Sequence, residues 1–85
     1  MTIMKIKILT FANIKNYTDD FLLEIDNTDN TTLKILKEKI LETEPSIKAI
    51  IDNVAFAINQ EYCTDENHLI NNLDEVALIP PVSGG

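Results

Sequence analysis

Apolar and polar residues alternate along several short stretches of this chain, a pattern typical of strands that bury one face. In the first stretch Ile6 and Ile8 lie on one face, while Lys5 and Lys7 lie on the other. The predicted strands are, in order, residues 4–9, 21–25, 54–58, a short segment near 62–63, and 75–79. The last of these is apolar on both faces, so we expect one of its faces to look outward from a small sheet.

A single main helix is predicted between the second and third strands, over residues 33–44. Its apolar stripe consists of Leu33, Leu36 and Ile40. The polar segment before it ends in threonines, which are good N-cap residues, and Pro45 is expected to end the helix. Isoleucines at helical spacing within residues 46–52 predict a short second helix.

The order of these elements predicts an α+β fold in one small domain. Two strands, one main helix and further strands are the order of the β-grasp, or ubiquitin-like, roll. In that roll a mixed sheet of about four to five strands pairs its first and last strands in parallel at the centre. We therefore expect a β-grasp domain over residues 1–79 and an extended, flexible C-terminal tail over residues 80–85.

The tail has a composition unlike the rest of the chain, since the only two glycines are its last two residues. It reads Pro80, Pro81, Val82, Ser83, Gly84 and Gly85. Two prolines favour an extended, partly rigid stalk, and six extended residues reach at most roughly 20 Å. Gly84 and Gly85 have no side chains, so they fit a narrow tunnel that any Cβ would block. We interpret the tail as a reactive segment inserted into a partner; a frayed terminus is the competing interpretation.

The group that such a tail delivers is the α-carboxylate of Gly85. Its ordinary pKa is about 3.5, so it is ionised and unreactive at neutral pH. Activation as an acyl-adenylate requires an enzyme that uses ATP. Attack by sulfur then gives a thioester or a thiocarboxylate, and attack by a lysine gives an isopeptide. The residues alone leave these outcomes open.

Composition excludes several other functions. The net charge is −7 and there is no arginine, so the chain is a poor binder of nucleic acid. The apolar stretches are far shorter than the roughly 20 residues of a membrane span. Without glycine in residues 1–79, neither a P-loop nor a dinucleotide-binding motif is possible. A lone cysteine and the lack of a targeting segment favour the cytoplasm.

No constellation of metal ligands is expected. Cys63 and His68 are single residues on a polar segment, without a second cysteine or histidine beside them. We expect Cys63 to lie in packing or at the surface, and His68 to lie at the surface. The chain is therefore not predicted to be an enzyme on its own.

Residues 74–85 (DEVALIPPVSGG) resemble the C-terminal signature of the molybdopterin synthase small subunit, a ubiquitin-like sulfur carrier of molybdenum cofactor biosynthesis. Residues 6–12 (IKILTFA) and 57–62 (AINQEY) support the resemblance. It implies that an E1-like enzyme, using ATP and magnesium, adenylates Gly85, and that a persulfide donor converts it to a thiocarboxylate. The tail then enters the large synthase subunit and donates sulfur to cyclic pyranopterin monophosphate.

The resemblance also implies a non-catalytic sulfur-donor subunit that binds no cofactor itself and joins a dimeric large subunit in a heterotetramer. Phe11 and Ile79 match the family's apolar contacts with that subunit. We predict an exposed apolar patch in which Ile79 or Leu78 joins Phe11, and we expect Phe11, Leu78 and Ile79 to form the partner interface. Where the family has an acidic-glycine-acidic turn, this chain has residues 71–74 (NNLD), and Asn72 is expected to adopt the left-handed conformation.

Other functions remain compatible with the same tail. The chain could be a sulfur carrier of the thiamine or tRNA-thiolation pathway, or a ubiquitin-like modifier attached to lysines. An interaction module with an inert tail is a further alternative.

Overall fold

The computed structural model describes residues 3–26 and 30–80 of the 85-residue chain. Its strands are β1 (Ile3–Thr10), β2 (Phe21–Asp26), β3 (Ala55–Ile58), β4 (Glu61–Cys63) and β5 (Glu75–Ile79). The helix α1 spans Leu33–Thr43, and short 3₁₀ segments span Ala12–Asn16, Pro45–Ala49 and Ile51–Asn53. The predicted strands and main helix are thus confirmed, while the second helix consists of two 3₁₀ segments.

The five strands form one mixed sheet in the order β2-β1-β5-β3-β4. The strand β1 pairs antiparallel with β2 and parallel with β5, and β3 pairs antiparallel with both β5 and β4. The last strand is therefore the central one, and it lies beside the first. This is the β-grasp topology, and it confirms the predicted α+β fold.

The core lies between one face of the sheet, here called the inner face, and α1. Alternation in β1 sends Met4, Ile6 and Ile8 into this core, where each is at most 1% exposed. The helix contributes Leu33, Leu36 and Ile40, which are equally buried and confirm the predicted stripe. Full burial of such side chains stabilises the fold by about 1.5–3 kcal/mol each.

The start of α1 is bound to a loop from the far end of the chain. The Thr32 side chain accepts a hydrogen bond from the Ile35 amide at 3.3 Å, as an N-cap residue does. The Leu33 amide donates to the His68 carbonyl at 2.9 Å, and the Lys34 amide donates to the Glu66 carbonyl at 3.1 Å. These bonds satisfy the first amides of the helix and hold the loop against the core. Pro45 follows the helix end, as predicted.

The turn before β5 differs from the prediction. The left-handed residue is Leu73, with φ of 71°, and not Asn72. The Asn72 side-chain oxygen accepts a hydrogen bond from the Lys5 amide at 2.8 Å, and the Leu73 amide donates to the Lys5 carbonyl at 2.7 Å. These two bonds to β1 fix the chain direction, so the left-handed step falls one residue later.

None of the helices within residues 3–26 and 30–80 is both long enough and apolar enough to cross a membrane.

Candidate functional site

The predicted C-terminal tail begins directly after the central strand. Leu78 pairs with Thr10 of β1, and Ile79 pairs with Ala55 of β3, so β5 is flanked by β1 as far as Leu78 and by β3 as far as its last residue. Pro80 follows and has no amide hydrogen, so it cannot donate a further ladder bond. A cavity of about 140 Å³ lies at this point and is lined by Asn13, Ile14, Ile50, Asn53, Val54 and Pro80. Pro80, the first residue of the predicted tail, is thus half-buried at the end of the sheet.

The remaining predicted tail residues are Pro81, Val82, Ser83, Gly84 and Gly85, and they lie outside the described residues. The chemical role given to Gly85 therefore stays a prediction.

The predicted patch beside the tail is present in part. Phe11 is 45% exposed and Ile79 is half-buried. Leu78, however, is fully buried, so its placement at a partner interface is wrong. The reason is alternation along β5: Leu78 lies on the inner face, where it contributes to the core, and Ile79 lies on the opposite face.

The sheet face opposite to α1, here called the outer face, carries further apolar residues that the sequence did not single out. Ala57 pairs with Ala77 on one side and with Tyr62 on the other, and Ala77 also pairs with Leu9. Directly opposed residues share a face, so these four side chains form a row across four strands. Tyr62 is 72% exposed.

We call this surface the outer-face patch and define it as Leu9, Phe11, Ala57, Tyr62, Ala77 and Ile79. The two alanines at the centre of the patch have small side chains, and the residues around them have larger ones. Phe11 follows Leu9 by two residues in extended conformation, so it lies on the same face. A low centre with larger apolar neighbours is a surface into which partner side chains can pack. The one sequence signal for it was the alternation of alanines with larger residues in the third strand.

A charged cluster lies next to Phe11 at the end of β1. One oxygen of the Asp20 carboxylate accepts hydrogen bonds from the Thr10 amide at 2.7 Å and from the Thr10 hydroxyl at 3.0 Å. The Lys15 ammonium lies 3.2 Å from the same oxygen. The pKa of Asp20 is lower than its ordinary value. The largest cause is the hydrogen bond from the Thr10 amide and the next is Lys15, because both stabilise the ionised carboxylate. We call Thr10, Lys15 and Asp20 the Asp20 cluster.

Cys63 and His68 are not members of the outer-face patch. The Cys63 side chain is half-buried on the edge strand, and its sulfur lies 3.7 Å from the Asp65 carbonyl. The His68 side chain is exposed, as predicted. Within the described part of the chain, no three His, Cys, Asp or Glu side chains are grouped as metal ligands would be.

The five-stranded roll with a helix on one face defines the chain as a β-grasp, ubiquitin-like protein. A family model described as the ThiS family matches residues 8–85. The chain belongs to the ThiS family.

Within the ThiS family, the chain is similar to proteins with a more specific name. The chain is 35% identical over 82 residues to the molybdopterin synthase sulfur carrier subunit of Dictyostelium discoideum, covering 93% of this chain and 94% of the relative. It is 38% identical over 84 residues to the subunit of the same name from Arabidopsis thaliana, covering 96% of this chain and 84% of the relative. The predicted resemblance to the molybdopterin synthase small subunit is thus confirmed.

One chain of a solved complex has the same fold. It is the protein-protein complex of subunits 1 and 2 of the molybdopterin-converting factor from Helicobacter pylori 26695. The similarity has a TM-score of 0.74 at 27% identity, and covers 96% of this chain and 100% of the matched chain.

Proposed function

We propose that this chain is the sulfur-carrier subunit of a molybdopterin synthase, with residues 1–79 as the carrier body and residues 80–85 as the inserted tail. The observation that carries the proposal is similarity to named sulfur carrier subunits over nearly the full length, together with a family match that extends to Gly85. The geometry at β5 supports it, because the central strand ends where the tail begins. Pro80, the first residue of the tail, therefore has a defined place at the end of the central strand.

The proposed chemistry takes place at the Gly85 carboxylate. A carboxylate oxygen attacks the α-phosphate of ATP in an E1-like activating enzyme, with magnesium bound there, and pyrophosphate leaves. Attack by sulfide on the acyl carbon then releases AMP and leaves a thiocarboxylate. Attack by a persulfide donor first gives an acyl disulfide, whose S–S bond must be cut by a thiol to release the thiocarboxylate. The thiocarboxylate sulfur is then donated to cyclic pyranopterin monophosphate.

The outer-face patch is the proposed contact with the large synthase subunit. Phe11 and Ile79 lie in it beside the start of the tail, so a partner that covers the patch also receives the tail. The Helicobacter pylori complex of subunits 1 and 2 supports this assembly by similarity. We propose a dimeric large subunit with one carrier at each end, in the cytoplasm.

Reconstitution tests the proposal. Carrier that bears a thiocarboxylate is mixed with the large subunit and the pterin precursor, and the dithiolene product is measured together with the carrier mass. We expect product to form and the carrier to return to its carboxylate mass. The matched control lacks Gly84 and Gly85 and is expected to form none.

The same assay separates the other functions. Equal product from the truncated control would contradict the proposal. Transfer only to a thiamine precursor or to tRNA would assign the carrier to another pathway. Lysine-linked adducts of the chain in a cell lysate, lost on removal of Gly85, would instead identify a protein modifier.

A further inference from the structure

We propose that Asp20 is a positioning residue for Phe11: it fixes the end of β1 so that Phe11 is held ready for the large subunit. The inference rests on the proposed function for the identity of that partner. It concerns a residue that does not belong to the outer-face patch.

The first support is the way in which the Asp20 cluster holds Thr10. Both the amide and the hydroxyl of Thr10 donate to one Asp20 oxygen, at 2.7 and 3.0 Å. Thr10 is 1% exposed, so its side chain has no freedom to turn away. The residue directly before Phe11 is therefore fixed in both backbone and side chain.

The second support is the backbone directly after Phe11. Ala12 has φ of 50°, in the left-handed region, which disfavours any residue with a Cβ. Such a conformation persists only where the surrounding structure determines it. Here the Ile14 amide donates to the Phe11 carbonyl at 3.1 Å, and the Ile14 side chain is buried in the core. The chain is thus fixed on both sides of Phe11.

The consequence is a half-exposed aromatic residue on an ordered backbone. Phe11 is 45% exposed, so its own contacts do not fix it as a core residue's would. An anchor that is already ordered loses less conformational entropy when a partner binds it. Asp20 supplies this order from across the loop, because it lies ten residues after Thr10 and directly before the second strand of the hairpin.

The test begins with the free carrier. Backbone and aromatic NMR signals of Phe11 are compared in the natural chain, Asp20→Ala and Asp19→Ala. The last is a matched control, because it removes the same charge from the neighbouring residue, whose carboxylate is outside the Asp20 cluster. We expect the Phe11 signals to shift or broaden in Asp20→Ala and to stay unchanged in Asp19→Ala.

The affinity for the large subunit is then measured by calorimetry. We expect Asp20→Ala to bind about fivefold more weakly than Asp19→Ala, since a freed anchor must be ordered on binding. Asp20→Asn keeps an oxygen that can accept from the Thr10 amide, so it should recover most of that loss. Recovery by this conservative variant also guards against a loss that reflects only poor folding.

Unchanged Phe11 signals in Asp20→Ala would overturn the inference. A lower melting temperature with the affinity of the Asp19→Ala control would also overturn it, because Asp20 would then only stabilise the fold. A Phe11→Ala variant with normal affinity would instead contradict the proposed docking surface, while the NMR comparison still reports whether Asp20 holds Phe11.

Discussion

On β5, Val76 and Leu78 are fully buried on the inner face, whereas Ala77 and Ile79, which alternate with them, are half-buried on the outer face. Both pairs are apolar, so composition does not distinguish them. Their surroundings distinguish them. The inner pair packs in the core of the chain, whereas the outer pair is partly exposed. In the proposed assembly, the inner pair therefore contributes to stability and the outer pair to partner binding.

The largest expected effect is on the inner face. Leu78→Ala removes a fully buried side chain from the centre of the core. Such a change costs about 2–5 kcal/mol of unfolding free energy, because apolar contacts are lost and a cavity is left. Denaturant unfolding measures the loss, and the affinity of the remaining folded protein for the large subunit should be nearly unchanged. A loss of affinity without a loss of stability would place Leu78 at the interface after all.

The second-largest expected effect is on the outer face, where we expect a loss of affinity for the partner rather than a loss of stability. Ile79→Asp places a charge in the outer-face patch and should weaken binding to the large subunit by about 2 kcal/mol, roughly 30-fold. The melting temperature should change less, since Ile79 is only half-buried. Tyr62→Ala is a companion variant, because Tyr62 is 72% exposed and has little internal packing to lose. Equal effects on stability and binding would contradict a separate binding role for Ile79.

A third change should raise stability. Leu73 is 75% exposed and left-handed, so unlike Leu78 it gains little from burial and pays for its backbone conformation. Leu73→Gly should stabilise the chain by about 0.5–1 kcal/mol, because relief of roughly 1–2 kcal/mol of strain outweighs the extra entropy of an unfolded glycine. Leu73→Ala is the control, since it removes the exposed side chain but keeps the strain. If both variants unfold at the same denaturant concentration, φ at residue 73 is not a source of strain.

The smallest expected effect concerns pH. The pKa of Asp20 is lowered from 3.8 by the Thr10 amide first and by Lys15 second. A carboxylate whose pKa is lower in the folded state stabilises the fold above its unfolded pKa, and this contribution is lost as the pH falls through the folded value. The stability difference between the natural chain and Asp20→Asn should therefore be constant near neutral pH and shrink below about pH 3.8. A difference that grew on acidification would contradict the geometry of the Asp20 cluster.

Much of the fold could be predicted because its periodicity is local. Alternation in β1 and the spacing of Leu33, Leu36 and Ile40 each lie within a single element, so the element and its buried face follow from the sequence. The order of elements then restricts the topology, and the observed pairing of β1 with β5 agrees with it.

The sequence-based predictions were wrong or incomplete where contacts between residues far apart in the chain determine the structure. A strand that is apolar on both faces does not reveal which face meets the helix, so the sequence does not distinguish Leu78 from Ile79 as the residue that faces outward. Tyr62 was not singled out because a three-residue strand is too short for a period. The left-handed residue was misplaced because bonds to Lys5, far away in sequence, fix it. The link between Thr10 and Asp20 depends on a hairpin register that no short motif encodes.

The measurement that tests the central claim most directly is the intact mass of the chain after incubation with ATP, magnesium, the activating enzyme and a sulfide source. We predict a gain equal to the replacement of one oxygen by sulfur, located on Gly85 by fragmentation. No gain, with an activating enzyme that modifies a known carrier under the same conditions, would contradict the carrier function.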